Sequence, residues 1–134
     1  MSQENVEVVR RSNALFNDGE WDALIELFHP DVELRDLRHA PDAPEVVRGP
    51  EALSLVLGTW TEVYDEFEAD VHEYIDADPW VICDTRWHGK VKGSDMPIDL
   101  HVADAYEVND GKIVRVINSY SDVAAALKAV GLEE

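Results

Sequence analysis

The chain has 134 residues, 46% of them hydrophobic, which fits one folded domain spanning residues 1–134 rather than a disordered chain. Its formal net charge of −18, from 29 acidic against 11 basic residues, argues against nucleic acid and against anionic membrane surfaces, both of which need a basic footprint. No apolar run reaches the roughly 18 residues of a transmembrane helix. The first residues lack a signal-peptide pattern, and the lone Cys83 rules out an internal disulfide, so a cytoplasmic protein is expected.

In chain order, residues 3–18 read as a helix that Gly19 stops. Trp21, Leu24, Ile25 and Phe28 keep helical spacing in a second, short helix, ended by His29-Pro30-Asp31. Residues 32–37 alternate like a strand. Pro41, Pro44, Gly49 and Pro50 mark residues 38–50 as a loop. Pro50 suits the first turn of a third helix, which runs to about residue 66 with Leu53, Val56, Leu57, Trp60, Val63 and Tyr64 on one broad face. The pattern then turns extended, with strands at 67–75, 80–92, 96–108 and 112–120. Asn109-Asp110-Gly111 is a strong hairpin signal between the last two. Ser121 can cap a short terminal helix that Gly131 closes. The fold class is therefore α+β: a curved antiparallel sheet with helices on its concave face, leaving a cone-shaped cavity of the kind small molecules occupy.

One residue breaks its pattern. With period two, the strand at 96–108 places Ile98, Leu100, Val102, Asp104, Tyr106 and Val108 on one face. Only the aspartate is not apolar or aromatic. A buried carboxylate is costly unless it is hydrogen-bonded, paired or protonated, and acid–base pockets are built from such groups. Asp104 could instead serve a structural hydrogen-bond network. Val32, Leu34 and Asp36 share a face of the first strand, and Val114, Val116, Asn118 and Tyr120 share a face of the last. Three strands would then offer Asp36, Asp104, Asn118 and Tyr120 to one cavity. Asp36 could also simply bind turn amides at its strand end. Trp21, Trp60 and Trp87 read as core or cavity wall, and Cys83 as a small buried apolar residue.

The runs Gly19-Glu20-Trp21-Asp22-Ala23-Leu24, His29-Pro30-Asp31-Val32-Glu33, Arg48-Gly49-Pro50-Glu51-Ala52, Asn109-Asp110-Gly111-Lys112-Ile113-Val114 and Ala126-Leu127…Gly131-Leu132, in this element order, resemble the SnoaL-like branch of the nuclear-transport-factor-2-like superfamily. The resemblance covers nearly the whole chain and implies the fold. The superfamily mixes isomerases, polyketide cyclases, dehydratases, epoxide hydrolases and binding modules, so it does not by itself imply a reaction. By resemblance to ketosteroid isomerase, Asp36 matches the general base, Asp104 the oxyanion-hole acid and Tyr120 a pocket tryptophan. Ser12 stands where that enzyme has its oxyanion-hole tyrosine, a departure large enough to change the reaction. The resemblance implies a ligand-facing lining of Ser12, Phe16, Leu34, Trp60, Trp87, Val102, Asn118 and Tyr120.

The chemistry expected of such a site is proton abstraction beside a carbonyl by one carboxylate, with a second, protonated carboxyl donating to the enolate oxygen. The expected ligand is a hydrophobic small molecule, and the expected activity that of an isomerase or cyclase. The alternative is a binding or dimerising module without turnover. The five histidines show no metal-ligand spacing and no glycine-rich phosphate loop is present, so no metal or other cofactor is expected. His39 lies in the proline-rich loop, within reach of a cavity mouth. Arg86-Trp87-His88 resembles only in part the Asp-Arg-Asp arrangement of limonene-epoxide-hydrolase-like relatives, because a histidine stands where the second aspartate is needed. Relatives pair through the outer sheet face, here His101, Ala103, Ala105, Arg115 and Ile117, so a homodimer is expected.

Overall fold

The computed structural model describes residues 2–37 and 46–131. His39 therefore lies outside the described residues. Helix α1 (Ser2–Asn17) and helix α2 (Trp21–Glu26) are joined through Gly19, whose φ of +72° makes the left-handed turn that glycine tolerates. Strand β1 (Phe28–Asp36) follows, then a short strand β2 (Val46–Arg48) and helix α3 (Gly49–Val63), with proline in its first turn. Strands β3 (Tyr64–Ala77), β4 (Trp80–Val91), β5 (Pro97–Asn109) and β6 (Lys112–Tyr120) form hairpins, and helix α4 (Val123–Ala129) ends the order.

The α+β expectation holds, with differences at element ends. β2 lies where a loop was expected. It adds to the edge of β1 in an antiparallel pairing of Glu33 with Arg48 and Leu34 with Val47. α3 stops at Val63 because Tyr64 is already extended, so β3 starts earlier than residue 67. α4 is capped by Asp122, whose carboxylate accepts from the Ala125 N–H at 2.8 Å, rather than by Ser121.

All six strands form one sheet in the order β2-β1-β6-β5-β4-β3. Its pairings are antiparallel except β1 with β6, which run parallel. The inner face carries the larger core: Val6, Val9 and Phe16 of α1, Leu24 of α2, and Leu53 and Leu57 of α3 pack with Val32, Cys83, Trp87, Val102, Tyr106, Ile113 and Val116 of the strands. The fourth helix lies on the opposite face. There Ala126 packs with Ala77, Ile82, Ala103 and Ala105, flanked by Ile117, Tyr120, Val123 and Leu127. Ala103 and Ala105, expected at a subunit interface, are thus fully buried within the chain beneath α4. Strand alternation explains the division, since successive residues of β5 feed the two cores in turn.

Bulges bend the sheet. In β3 the register slips between Asp65 and Glu68, with Glu66 at φ +53°. Gly89 of β4 faces this kink. A Cβ there would lie 2.9 Å from Phe67 Cα, 3.0 Å from the Asp65 carbonyl oxygen and 3.1 Å from that of Glu66. These atoms are backbone and cannot rotate away. Gly89→Ala is therefore expected to destabilise the fold by about 1–3 kcal/mol, as overpacking does. Urea denaturation tests this, and an unchanged midpoint would refute the close-approach account.

Candidate functional site

Asp104 is on the inner face of β5, as its alternation predicts, and is 1% exposed. Its neighbours in register are Cys83 on β4 and, across the bulged β6 ladder, the segment between Ile117 and Tyr120. Both carboxylate oxygens accept hydrogen bonds. Trp87 Nε1 donates to Oδ2 at 2.9 Å and the Ser119 backbone N–H donates to Oδ1 at 2.9 Å. The buried Thr85 hydroxyl is a further hydrogen-bonding neighbour of the carboxylate, and it also donates to the Cys83 carbonyl at 3.1 Å. Burial pushes the Asp104 carboxyl up to a pKa of about 6. The Ser119 and Trp87 N–H groups pull it down, the negative charge of Asp36 pushes it up, and Thr85 pulls it down.

Trp87 joins this carboxylate to an aromatic cluster. Its ring stacks on Phe67 at 5.3 Å and meets Phe16 edge-on at 5.4 Å and Trp60 at 5.8 Å. Phe16 also contacts Trp21, Trp60 and Phe67. Phe16, Trp60 and Trp87, expected as ligand lining, are thus brought together as one wall beside Asp104. Leu34 and Val102 belong to the same inner core. Ser12 lies on the buried face of α1 and is 4% exposed.

Asp36 and Asn118 are aligned in the parallel pairing of β1 with β6, one step beyond Leu34 and Val116 of the inner core. The Asn118 Oδ1 atom is buried and has no hydrogen-bond partner among the described residues. Tyr120 corrects the expected stripe. β6 holds one extra residue between Ile113 and Arg115 and another between Ile117 and Tyr120. The inner residues are therefore Ile113, Val116 and Asn118, while Tyr120 packs with Ile117 and Leu127 in the outer core beneath α4. Strict alternation fails here because each bulge shifts the side-chain faces by one residue.

Several polar groups escaped the sequence reading. Asn13, 6% exposed on α1, donates from Nδ2 to the Tyr74 hydroxyl at 3.3 Å and also hydrogen-bonds Cys83. Tyr74, Cys83 and Asp104 are successive partners across β3, β4 and β5. Burial, and secondarily the charge of Asp104, holds the Cys83 thiol well above its usual range, so it is no nucleophile. Asn13 could have been found from its place beside the apolar face of α1. The Ser119 amide could not, since its role depends on the bulge. On the outer face His101 Nε2 pairs with Asp84 Oδ1 at 2.6 Å and Arg86 binds both oxygens of Asp99 at 2.8 and 2.9 Å. These pairs are exposed. Among the described residues no group of three or more His, Cys, Asp or Glu side chains could hold a metal ion, and no helix is long and apolar enough to cross a membrane.

This architecture defines a curved-sheet domain with an acid on its inner face. The model of the SnoaL-like domain matches residues 9–116, so the chain belongs to the SnoaL-like domain family. Three solved structures illustrate the likeness. A hypothetical protein of Catenulispora acidiphila with a ketosteroid-isomerase-like fold, in complex with trimethylamine, is 21% identical at a TM-score of 0.74, covering 94% of this chain and 93% of its own. TerC, co-crystallised with polyporic acid, is 19% identical at 0.77, covering 88% and 92%. An epoxide hydrolase of M. tuberculosis, of the LEH-like type, is 17% identical at 0.73, covering 94% and 88%. At these identities they show a shared fold and no shared reaction. Comparison with curated proteins gives no significant match.

The raised Asp104 pKa has a consequence for stability. In the unfolded chain the carboxyl titrates near 3.8, in the folded protein near 6. The folded state therefore holds the proton over a window where the unfolded state has lost it, and stability falls as pH rises from about 4 through about 6. The loss from this residue is roughly 3 kcal/mol. Asp104→Asn is expected to lack this component while keeping the background from the other acids. Unfolding free energies at pH 4 and pH 7 measure it, and equal pH dependence in both proteins would contradict the buried-acid account.

Proposed function

We propose that this protein binds a hydrophobic carbonyl compound and moves a proton on it, as an isomerase or cyclase does. The observation that carries the reading is the Asp104 carboxylate, buried beside an aromatic wall and poised with a pKa of about 6. A general base works best when its pKa lies near the operating pH. In the reaction, the C–H bond beside the carbonyl breaks, its proton passes to Asp104 and the electron pair moves onto the carbonyl oxygen as an enolate. Asp104 then returns the proton at another carbon; or the enolate carbon adds to a second carbonyl carbon of the same molecule, closing a ring, and the proton on Asp104 passes to the alkoxide oxygen that forms.

Resemblance to ketosteroid isomerase gives Asp36 the base's role and Asp104 that of a protonated donor. Here both Asp104 oxygens already accept N–H bonds, which favours the anion. Asp104 is therefore the base, and Asp36 a neighbouring charge that raises its proton affinity. Ser12 and Asn118 are the candidate polar contacts for the enolate oxygen. The trimethylamine and polyporic acid of two structural relatives support a small-molecule ligand. The free Cys83 thiol fits a cytoplasmic setting. A homodimer would meet over the exposed part of the outer face around Arg86, Asp99 and His101.

One observation favours a second reading. Asp104 is 1% exposed, so a ligand must displace packed groups to reach it. A non-catalytic ligand-binding module would keep it as a structural acceptor.

Incubating the protein with cyclic and aryl ketones in deuterated water, and following deuterium at the carbon beside the carbonyl by NMR, separates the two. Proton transfer predicts exchange that accelerates as pH rises through about 6 and slows by about 100- to 10,000-fold in Asp104→Asn. Binding without exchange would favour the second reading, and exchange indifferent to Asp104 would remove the first.

A further inference from the structure

We infer that Trp87 and the bulge at Ser119 are positioning groups for Asp104, two N–H donors on the flanking strands that clamp its two oxygens and hold it as an oriented anion. The inference rests on the proposed role of Asp104 and adds how that role is maintained. Each donor comes from a different side. Trp87 is on β4 and Ser119 on β6, the two neighbours of β5 in the sheet. Each bond is 2.9 Å long and each takes a different oxygen. Two donors on two oxygens fix the plane of the carboxylate as well as its place. With the Thr85 hydroxyl also beside the carboxylate, lone-pair capacity is still left for a proton arriving from the ligand side.

The Ser119 donor is built by the backbone. In a regular antiparallel ladder an N–H lies in the sheet plane and bonds the next strand. The extra residue in β6 breaks that ladder, and Ser119 takes φ +77°. This is left-handed backbone that a residue other than glycine adopts at a cost. The bulge turns the Ser119 amide onto the buried carboxylate, and the same step sends Tyr120 to the outer face. A bulge that re-aims a group beside a polar site is a recurrent device.

The Trp87 donor is held by packing. Its ring is stacked against Phe67 and met by the edges of Phe16 and Trp60, and the side chain is 9% exposed. The indole N–H cannot swing away without disturbing this wall. Trp87, expected from the resemblance to line the ligand, also acts here on Asp104.

The test is an NMR titration of the Asp104 side chain in the intact protein, using isotope-labelled aspartate carboxyl carbons and identifying Asp104 by its loss in Asp104→Asn. It compares wild type, Trp87→Phe and Ser119→Gly. A fourth protein carries benzothienylalanine at position 87, which has the indole's shape and no N–H, and serves if Trp87→Phe fails to fold. The wild-type midpoint is expected near 6. Loss of the indole donor is expected to raise it by about one to two pH units, the effect of a charge-assisted hydrogen bond. Ser119→Gly keeps the N–H and accepts the left-handed backbone, so its midpoint is expected to stay. A purely structural role for Trp87 would lower the melting temperature and leave the midpoint in place, and an unmoved midpoint in the folded benzothienylalanine protein would overturn the inference. A midpoint displaced in Ser119→Gly would overturn the part assigned to the bulge. The titration needs no substrate. A shifted midpoint without ketone exchange would retain the clamp and remove the catalytic reading, and exchange without a shift would do the reverse.

Discussion

The buried Asp104 carboxylate is the constraint around which the interior is arranged. An ionised carboxyl in an apolar core is tolerated only where hydrogen bonds replace its water. Those bonds come from β4 and β6, which flank β5 on its two sides. One side chain therefore ties three adjacent strands together through its own oxygens, in addition to the backbone ladders. The arrangement still leaves the group with an elevated pKa. Two N–H donors do not offset full burial, and the Asp36 charge adds to the imbalance. A fold that sought only stability would place an apolar residue here, as the rest of the stripe does. A carboxylate stands here instead, with a backbone bulge that donates to it, as the proposed proton transfer would require.

The site was legible in the sequence where local pattern governs structure. Asp104 announced itself as the one charged member of a regular apolar alternation, and β5 keeps that alternation from Ile98 to Val108. The three β-hairpins and the helices were legible for the same reason, since turn residues and periodicity act over a few positions. Tyr120 was misplaced because β6 is not regular. Its two bulges leave no distinct mark in composition, and each reverses the faces beyond it. The parallel pairing of β1 with β6 joins residues roughly eighty positions apart, and no local signal encodes such a pairing. The Ser119 amide is a backbone group, so no side chain could advertise it.

The two faces of the sheet follow different electrostatic rules. Inside, one carboxylate is held by neutral N–H donors in a dry setting, and its charge is felt by Cys83 and Tyr106. Outside, Arg86 with Asp99, His101 with Asp84 and Lys90 with Glu66 form exposed pairs, which contribute little to stability because water screens them. The net charge of −18 is thus a property of the surface and bears on solubility. α4 further divides the outer face by covering Ala103 and Ala105. A pairing of two copies over the outer face, as proposed, would use its charged remainder, which would make that association sensitive to salt.

Under the proposed function, burial of Asp104 and access of a ligand are reconciled by where its hydrogen-bond donors are anchored. Trp87 belongs at once to the aromatic wall and to the carboxylate. A flat hydrophobic ligand that reached Asp104 would have to replace ring contacts in that wall, because the interior is close-packed. Replacing them with its own aromatic or alicyclic face would leave Trp87 seated and its N–H in place, so the base would keep its orientation as the site filled. A polar or misshapen ligand would instead unseat the ring, withdraw a donor and make Asp104 bind its proton more tightly, a weaker kinetic driving force for returning it. Selectivity for hydrophobic carbonyl compounds would then arise from the same indole that positions the base, without a separate recognition element.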